Sequence, residues 1–190
     1  AAASGAGPGT GVLEVGPGIG PLPRQLARRA DKVASVELDR SLLPILKETL
    51  ADCSNAEIVP GDILKTDIPA LVEEKFAGLK AVACANLPYN ITTLIEAGCF
   101  QSITVMIQRE VARRICAKPG TGDYGAFSVF CQYHTAPELL FDVPPECFIP
   151  APKVTSSVLR MVPRPAPEEV DDPEHFFRVV RAAFAQRRKS

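Results

Sequence analysis

Apolar positions fall in short blocks along this chain, and each block closes on a glycine, an acid or a proline. Val12-Leu13-Glu14-Val15 predicts a strand over residues 10–15, ending in the loop Gly16-Pro17-Gly18-Ile19-Gly20. A helix is predicted over 21–30, then a strand over 32–37 carried by Val33, Ala34 and Val36. Asp39 is expected to cap a helix running to about residue 51, with Pro44 in or near its first turn. A strand over 56–59 leads to Gly61-Asp62-Ile63, and a helix over 69–76 precedes a strand over 80–85 that delivers Asn86-Leu87-Pro88-Tyr89. A helix over 91–100, a strand over 103–108 and a helix over 109–117 follow, the last with Val111, Ala112 and Ile115 turned inward. Residues 119–125 are rich in turn formers, and 126–134 predicts a helix with Phe127, Phe130 and Cys131 as core. Two further strands, 138–143 and 156–162, flank a proline-stiffened loop. An acidic, proline-rich linker over 163–173 leads to a last helix, from 173 to about 187, burying Phe176, Phe177, Val180 and Phe184.

Four strand ends carry groups of the kind that hold ligands, and open α/β sheets bind ligands at strand C-termini. The glycine loop lets the backbone approach a ligand closely, although tight turns use the same residues. Glu37 lies about twenty residues past that loop, where nucleotide sites put a carboxylate on ribose hydroxyls; a plain strand-end acid is the alternative. Asp62 offers an acceptor for an adenine amino group, or else caps the loop. Asn86-Leu87-Pro88-Tyr89 is the fourth. An exocyclic amine on a nucleobase is a poor nucleophile because its lone pair is delocalised into the ring. An Asn oxygen and a backbone carbonyl beside a proline supply two acceptors for its N–H groups. Tyr89 adds a face for stacking, worth about 1–3 kcal/mol per base. Phe148, in the rigid loop, is a second stacking face or a core residue.

Composition narrows the setting. Of 190 residues, 46% are hydrophobic and 23% charged, as in ordinary globular domains, and no apolar run is long enough to span a membrane. The Ala/Gly-rich start has no basic region and does not read as a signal peptide. Six scattered cysteines and two histidines form no metal-binding spacing, so no metal is expected, and most of the cysteines are read as reduced core thiols of a cytoplasmic protein. The net charge of −1 means that any nucleic-acid contact must rest on local clusters. Those clusters are Arg24, Arg28, Arg29 and Lys32; Arg109, Arg113, Arg114 and Lys118; and Arg187-Arg188-Lys189.

Taken in order, Glu14-Val15-Gly16-Pro17-Gly18-Ile19-Gly20, Glu37-Leu38-Asp39, Gly61-Asp62, Asn86-Leu87-Pro88-Tyr89-Asn90-Ile91, Phe148-Ile149-Pro150-Ala151-Pro152-Lys153-Val154 and Gln186-Arg187-Arg188-Lys189 resemble the KsgA-type ribosomal RNA adenine dimethyltransferases. The resemblance runs through essentially the whole chain. It implies an α/β, Rossmann-like class I methyltransferase fold with a seven-stranded, mostly parallel sheet whose last strand is antiparallel, and one catalytic domain over 1–190. It implies S-adenosylmethionine as cofactor and two adjacent adenines near the 3′ end of small-subunit ribosomal RNA as substrate. The partner would be the immature small subunit, met by a cytoplasmic monomer without membrane contact.

By the same resemblance Gly16, Gly18, Glu37, Leu38, Asp62, Ile63 and Asn86 hold the cofactor, while Asn86, Leu87, Pro88, Tyr89 and Phe148 hold the target adenine. Arg109, Arg113, Lys153, Arg187, Arg188 and Lys189 would contact RNA. Such proteins usually begin with a segment containing Gln-x-Phe-Leu and continue into a small helical RNA-binding domain; neither is found in this chain. Three rivals remain. A large-subunit methyltransferase of the antibiotic-resistance type tends to carry Ile where this chain has Leu87. An NAD-dependent oxidoreductase would leave the Asn-Leu-Pro-Tyr tetrad unexplained. A non-catalytic ribosome-assembly role can coexist with catalysis.

Overall fold

The computed structural model describes residues 1–86, 91–167 and 170–185, and its contacts gather them into two compact units, Ala1–Ile107 and Gln108–Ser190. The first unit alternates strand and helix: β1 (Thr10–Val15), α1 (Pro21–Ala27), β2 (Lys32–Glu37), α2 (Leu43–Thr49), β3 (Ala56–Pro60), α3 (Ile68–Phe76), β4 (Lys80–Asn86), α4 (Ile91–Glu96) and β5 (Ser102–Gln108). β1 pairs with β2 on one side and with β4 on the other, β2 pairs with β3, and β4 with β5, all in parallel. Every residue of β1 is buried, as a central parallel strand covered on both faces requires.

The second unit holds α5 (Arg109–Cys116), α6 (Ala126–His134), β6 (Thr135–Val143), β7 (Ser156–Pro163) and α7 (Pro173–Ala185). β6 and β7 are antiparallel, with a register irregularity between Leu139 and Phe141. Cys131, Leu159 and Met161 are fully buried. Phe177 of α7 packs against Phe130 and Tyr133 of α6, with ring centroids 5.2 and 5.3 Å apart. Over the whole chain the strands form one seven-stranded sheet in the order β3-β2-β1-β4-β5-β7-β6. This is the expected class I methyltransferase arrangement, with the last strand, β7, antiparallel.

Several helix ends fall earlier than the sequence pattern predicts, each for a local reason. The first helix stops at Ala27 rather than residue 30 because the Asn55 amide donates to the carbonyls of Ala27 and Ala30, satisfying them from outside the helix. Pro44 lacks an N–H, so the predicted helix after Asp39 divides into a 3-10 turn, Arg40–Leu42, and then α2, with the proline in its first turn. α4 ends at Glu96, not residue 100, where Gly98 turns left-handed at φ 64° and donates to Ile95 O. Phe127 and Phe130, expected in the core, are only partly buried. The cysteines also divide: Cys84 and Cys131 are buried, Cys53, Cys99 and Cys116 half-buried, and Cys147 exposed.

α3 lies so close to the start of β1 that there is no room for a side chain there. A Cβ at Gly11 would fall 2.3 Å from Phe76 Cγ and 2.4 Å from its Cδ1. Gly11→Ala should therefore destabilise the first unit by about 1–3 kcal/mol through forced overpacking. Combining it with Phe76→Leu should recover part of the loss in a denaturant-midpoint measurement, and a wild-type midpoint for the single variant would contradict the packing.

Candidate functional site

The ladder of β1 runs on past its end into the loops that follow. Gly16 N donates to Val36 O at 3.0 Å, and Gly61 N donates to Glu37 O at 2.9 Å, so the segments after β1, β2 and β3 leave the sheet side by side. Gly16 and Gly18 have φ of 72° and 59°, a region that side chains rarely tolerate. Nothing lies within 4 Å of where a Cβ would stand at either position. Glycine is thus needed there for the backbone path, which leaves open space in front of the loop.

Two acids border that space. Glu37 is 6% exposed, and its Oε1 accepts from Asp39 N at 2.8 Å. Asp62 Oδ1 accepts from Leu64 N at 3.0 Å and caps the 3-10 turn Ile63–Lys65, the plainer of the two roles read for it in the sequence. Each acid spends one oxygen on its own turn, and the other makes no hydrogen bond among the described residues. Leu38 is exposed while Ile63 is buried. Asn86 closes β4, opposite Met106 of β5, with its side chain exposed. At the usual strand spacing, the row from Asn86 through Gly16 and Glu37 to Asp62 spans about 14 Å. The row straddles the β1–β4 junction, where the strand order reverses and α/β sheets open a crevice.

Leu87, Pro88, Tyr89 and Asn90, with Arg187, Arg188 and Lys189, lie outside the described residues, as does the expected sandwich of Tyr89 and Phe148. In the second unit Phe148 is half-buried, and Lys153 and Arg113 are exposed. Arg109 is engaged within that unit: its N–H donates to Thr155 O at 3.0 Å and its guanidinium lies 3.7 Å from Asp142.

One residue of the site carried no role in the sequence reading. Glu14 lies in the middle of β1 and is 1% exposed. Ser35 Oγ donates to its Oε2 at 2.5 Å, whereas Oε1 is buried without a partner among the described residues. Burial pushes its pKa from the ordinary 4.5 up to about 8; the Ser35 hydrogen bond opposes the rise and the charge of Glu37 adds to it. The available signal was an acid inside an apolar run on a strand that is buried on both faces.

The family model for ribosomal RNA adenine dimethylase matches residues 3–190. The chain belongs to that family. Its relatives include the ribosomal RNA small subunit methyltransferase A of Geobacillus sp. (strain WCH70), 48% identical over 95% of this chain, and that of Alkaliphilus oremlandii, 48% identical over 94%. The chain spans 65% of the length of both. The crystal structure of the 23S rRNA methyltransferase ErmE superposes with a TM-score of 0.74 at 30% identity, covering 97% of this chain and 74% of that one. A dimethyladenosine transferase from Plasmodium falciparum superposes at 0.73 and 24% identity, over 93% and 63% of the two chains, which speaks for the fold alone. The candidate crevice of this ribosomal RNA adenine dimethylase homologue lies at the β1–β4 junction. No helix among the described residues is long and apolar enough to cross a membrane.

The state of Glu14 has a consequence for stability. A carboxyl that holds its proton more tightly when folded contributes most below its unfolded pKa. That contribution is lost as pH rises from about 4.5 to about 8. Glu14→Gln keeps the shape and the neutral state, so its stability relative to wild type should grow by a few kcal/mol at most, on the order of the shift, across that range. Denaturant midpoints at several pH values measure this, and parallel profiles for the two proteins would show that Glu14 titrates normally.

Proposed function

We propose that this chain is the catalytic part of an S-adenosylmethionine-dependent ribosomal RNA adenine N6-dimethyltransferase. Its substrate is two adjacent adenosines near the 3′ end of small-subunit ribosomal RNA, modified in the immature subunit during ribosome biogenesis. The observation that carries the reading is the row of Asn86, Gly16, Glu37 and Asp62 at the ends of four neighbouring strands, in a chain of this family. A nucleoside with an amino-acid arm matches such a row: acids with spare acceptors for hydroxyls and an amine, and an unobstructed glycine loop for the arm. The protein would work as a monomer in the cytoplasm.

When bound, S-adenosylmethionine supplies an electrophilic methyl group on a sulfonium. The residues of the chain supply position and polarity. Gly16 and Gly18 would line the methionine end, Glu37 would take the ribose hydroxyls and Asp62 the adenine amine of the cofactor, with Leu38 and Ile63 among the residues that hold it. Asn86 and the Leu87–Pro88 backbone accept from the target N6 amine, while Tyr89 and Phe148 stack its ring. Alignment of this kind is worth roughly 7–11 kcal/mol of barrier. No strong general base is required, because the nitrogen proton becomes acidic once the nitrogen carries the new methyl and positive charge. The target adenine must leave its stack, at a cost of a few kcal/mol, so an unpaired region suits it. Arg109, Arg113, Lys153, Arg187, Arg188 and Lys189 are the proposed RNA contacts.

The large-subunit alternative has the ErmE superposition in its favour, but the curated relatives named for the small subunit are nearer in sequence, at 48% against 30% identity. Methylation assayed on separated small- and large-subunit RNA decides between them.

Titration calorimetry should show binding of S-adenosylmethionine and none of NAD; the reverse pattern would overturn the reading. Glu37→Ala should weaken cofactor affinity about ten- to a hundredfold, the worth of about one hydrogen bond to a charged group. Asn86→Ala should abolish adenine methylation, detected by mass spectrometry of digested RNA, with an unchanged melting curve. Normal turnover in that variant would remove Asn86 from the mechanism.

A further inference from the structure

A row of polar side chains crosses the apolar sheet just beneath the strand ends that carry the site. Ser35, Glu14, Cys84 and Thr104 stand opposite one another on β2, β1, β4 and β5, and all four are buried. Register partners point to one face of a parallel sheet. On that face Leu26 and Ala30, from α1 and the turn after it, pack with Val12, Val33, Val82 and Cys84. The N-terminal turn Ala2–Ser4 covers the other end, where Thr104 Oγ1 donates to Ala3 O at 3.3 Å.

The groups around Glu14 leave its charge without compensation. β2 presents the Ser35 hydroxyl and the like charge of Glu37. β4 presents the Cys84 thiol, which burial pushes up to about 11 and so keeps neutral; Ser4 and the amino group of Ala1 act on that thiol. α1 and its following turn contribute apolar side chains here, Leu26 and Ala30 buried and Leu22 and Ala27 partly buried against them. Among the described residues no Lys, Arg or His is paired with Glu14, and its Oε1 has no partner. An ionised carboxylate in such a place is costly, and protonation is the ordinary escape.

The crevice begins two residues further on, at Gly16. The proposed cofactor carries a sulfonium and an ammonium against one carboxylate, a net positive charge. Resting on that cofactor reading, we propose that Glu14 is a positioning residue that holds a proton in the free protein and releases it to solvent when the cationic cofactor occupies the crevice, its carboxylate then balancing the charge of the ligand. A purely structural Glu14, bonded to Ser35 and nothing more, would leave cofactor binding indifferent to protons.

The test is titration calorimetry with S-adenosylmethionine in buffers of different ionisation enthalpy, between about pH 6.5 and about pH 9, on wild type and Glu14→Gln. Wild type should release close to one proton per cofactor near neutral pH and almost none at the alkaline end. Its affinity should rise by up to about tenfold over the two units around the Glu14 pKa. Glu14→Gln should lose both effects and bind more weakly than wild type at the alkaline end. Equal proton release in the two proteins, or binding by wild type with no release, overturns the proposal and leaves the cofactor reading intact. Absence of binding at every pH overturns both. Infrared difference spectra of wild type give a check that needs no variant: the protonated-carboxyl band should disappear on cofactor addition, and a band that persists would rule the proposal out.

Discussion

The parallel ladder centred on β1 is the constraint on which the rest depends. β1 exchanges hydrogen bonds with β2 and β4 along its whole length, and the ladder continues into the loops through Gly16 and Gly61. Parallel strands all end on the same side, so residues far apart in sequence arrive at one edge without needing direct contacts among themselves. Gly16, Glu37, Asp62 and Asn86 are placed by backbone pairing, and their side chains stay available for a ligand. Loops alone would not give this precision, since each would have to fix its own conformation against the entropy of a flexible chain.

The same ladder creates an electrostatic tension. A strand paired on both sides and covered on both faces offers no water to a charged group, yet Glu14 sits in its middle. One neighbour on the adjacent strand, Ser35, satisfies half of the carboxyl, and the remaining oxygen has no partner among the described residues. Such a group contributes little to the fold in ionised form, because burying a lone charge costs more than one hydrogen bond returns. Its position next to the crevice makes charge the natural link between the sheet interior and the ligand, with Glu37 reinforcing the effect from the next strand.

The second unit follows different physics. β6 and β7 form an antiparallel ribbon with exposed apolar positions at Leu139, Phe141 and Val162, and its helices meet through aromatic rings. Arg109 illustrates how surface charge is distributed there. Half-exposed and within 4 Å of Asp142, it forms the kind of ion pair whose net contribution is about 0–1 kcal/mol, so its positive charge is partly spent inside the unit.

Much of this was legible in the sequence. The strand–glycine–helix opening, the acids at strand ends and the alternation of elements follow from local patterns, because a backbone that must turn left-handed needs glycine and a buried strand needs an apolar run. β1, β2 and α6 fall where the pattern puts them, and the order of ligand-type residues along the chain carried the family resemblance. Helix ends were not legible: Asn55 stops α1 from across the fold, and a sequence window around residue 27 cannot contain it. Nor was the state of Glu14. In the sequence it is one acid of a glycine-loop motif, and only the pairing of three strands reveals that it has Ser35 on one side and Cys84 on the other, with no Lys, Arg or His paired with it among the described residues. Local conformation is written in neighbouring residues, whereas the dielectric and the partners of a buried charge are set by strands that come together only in the folded sheet.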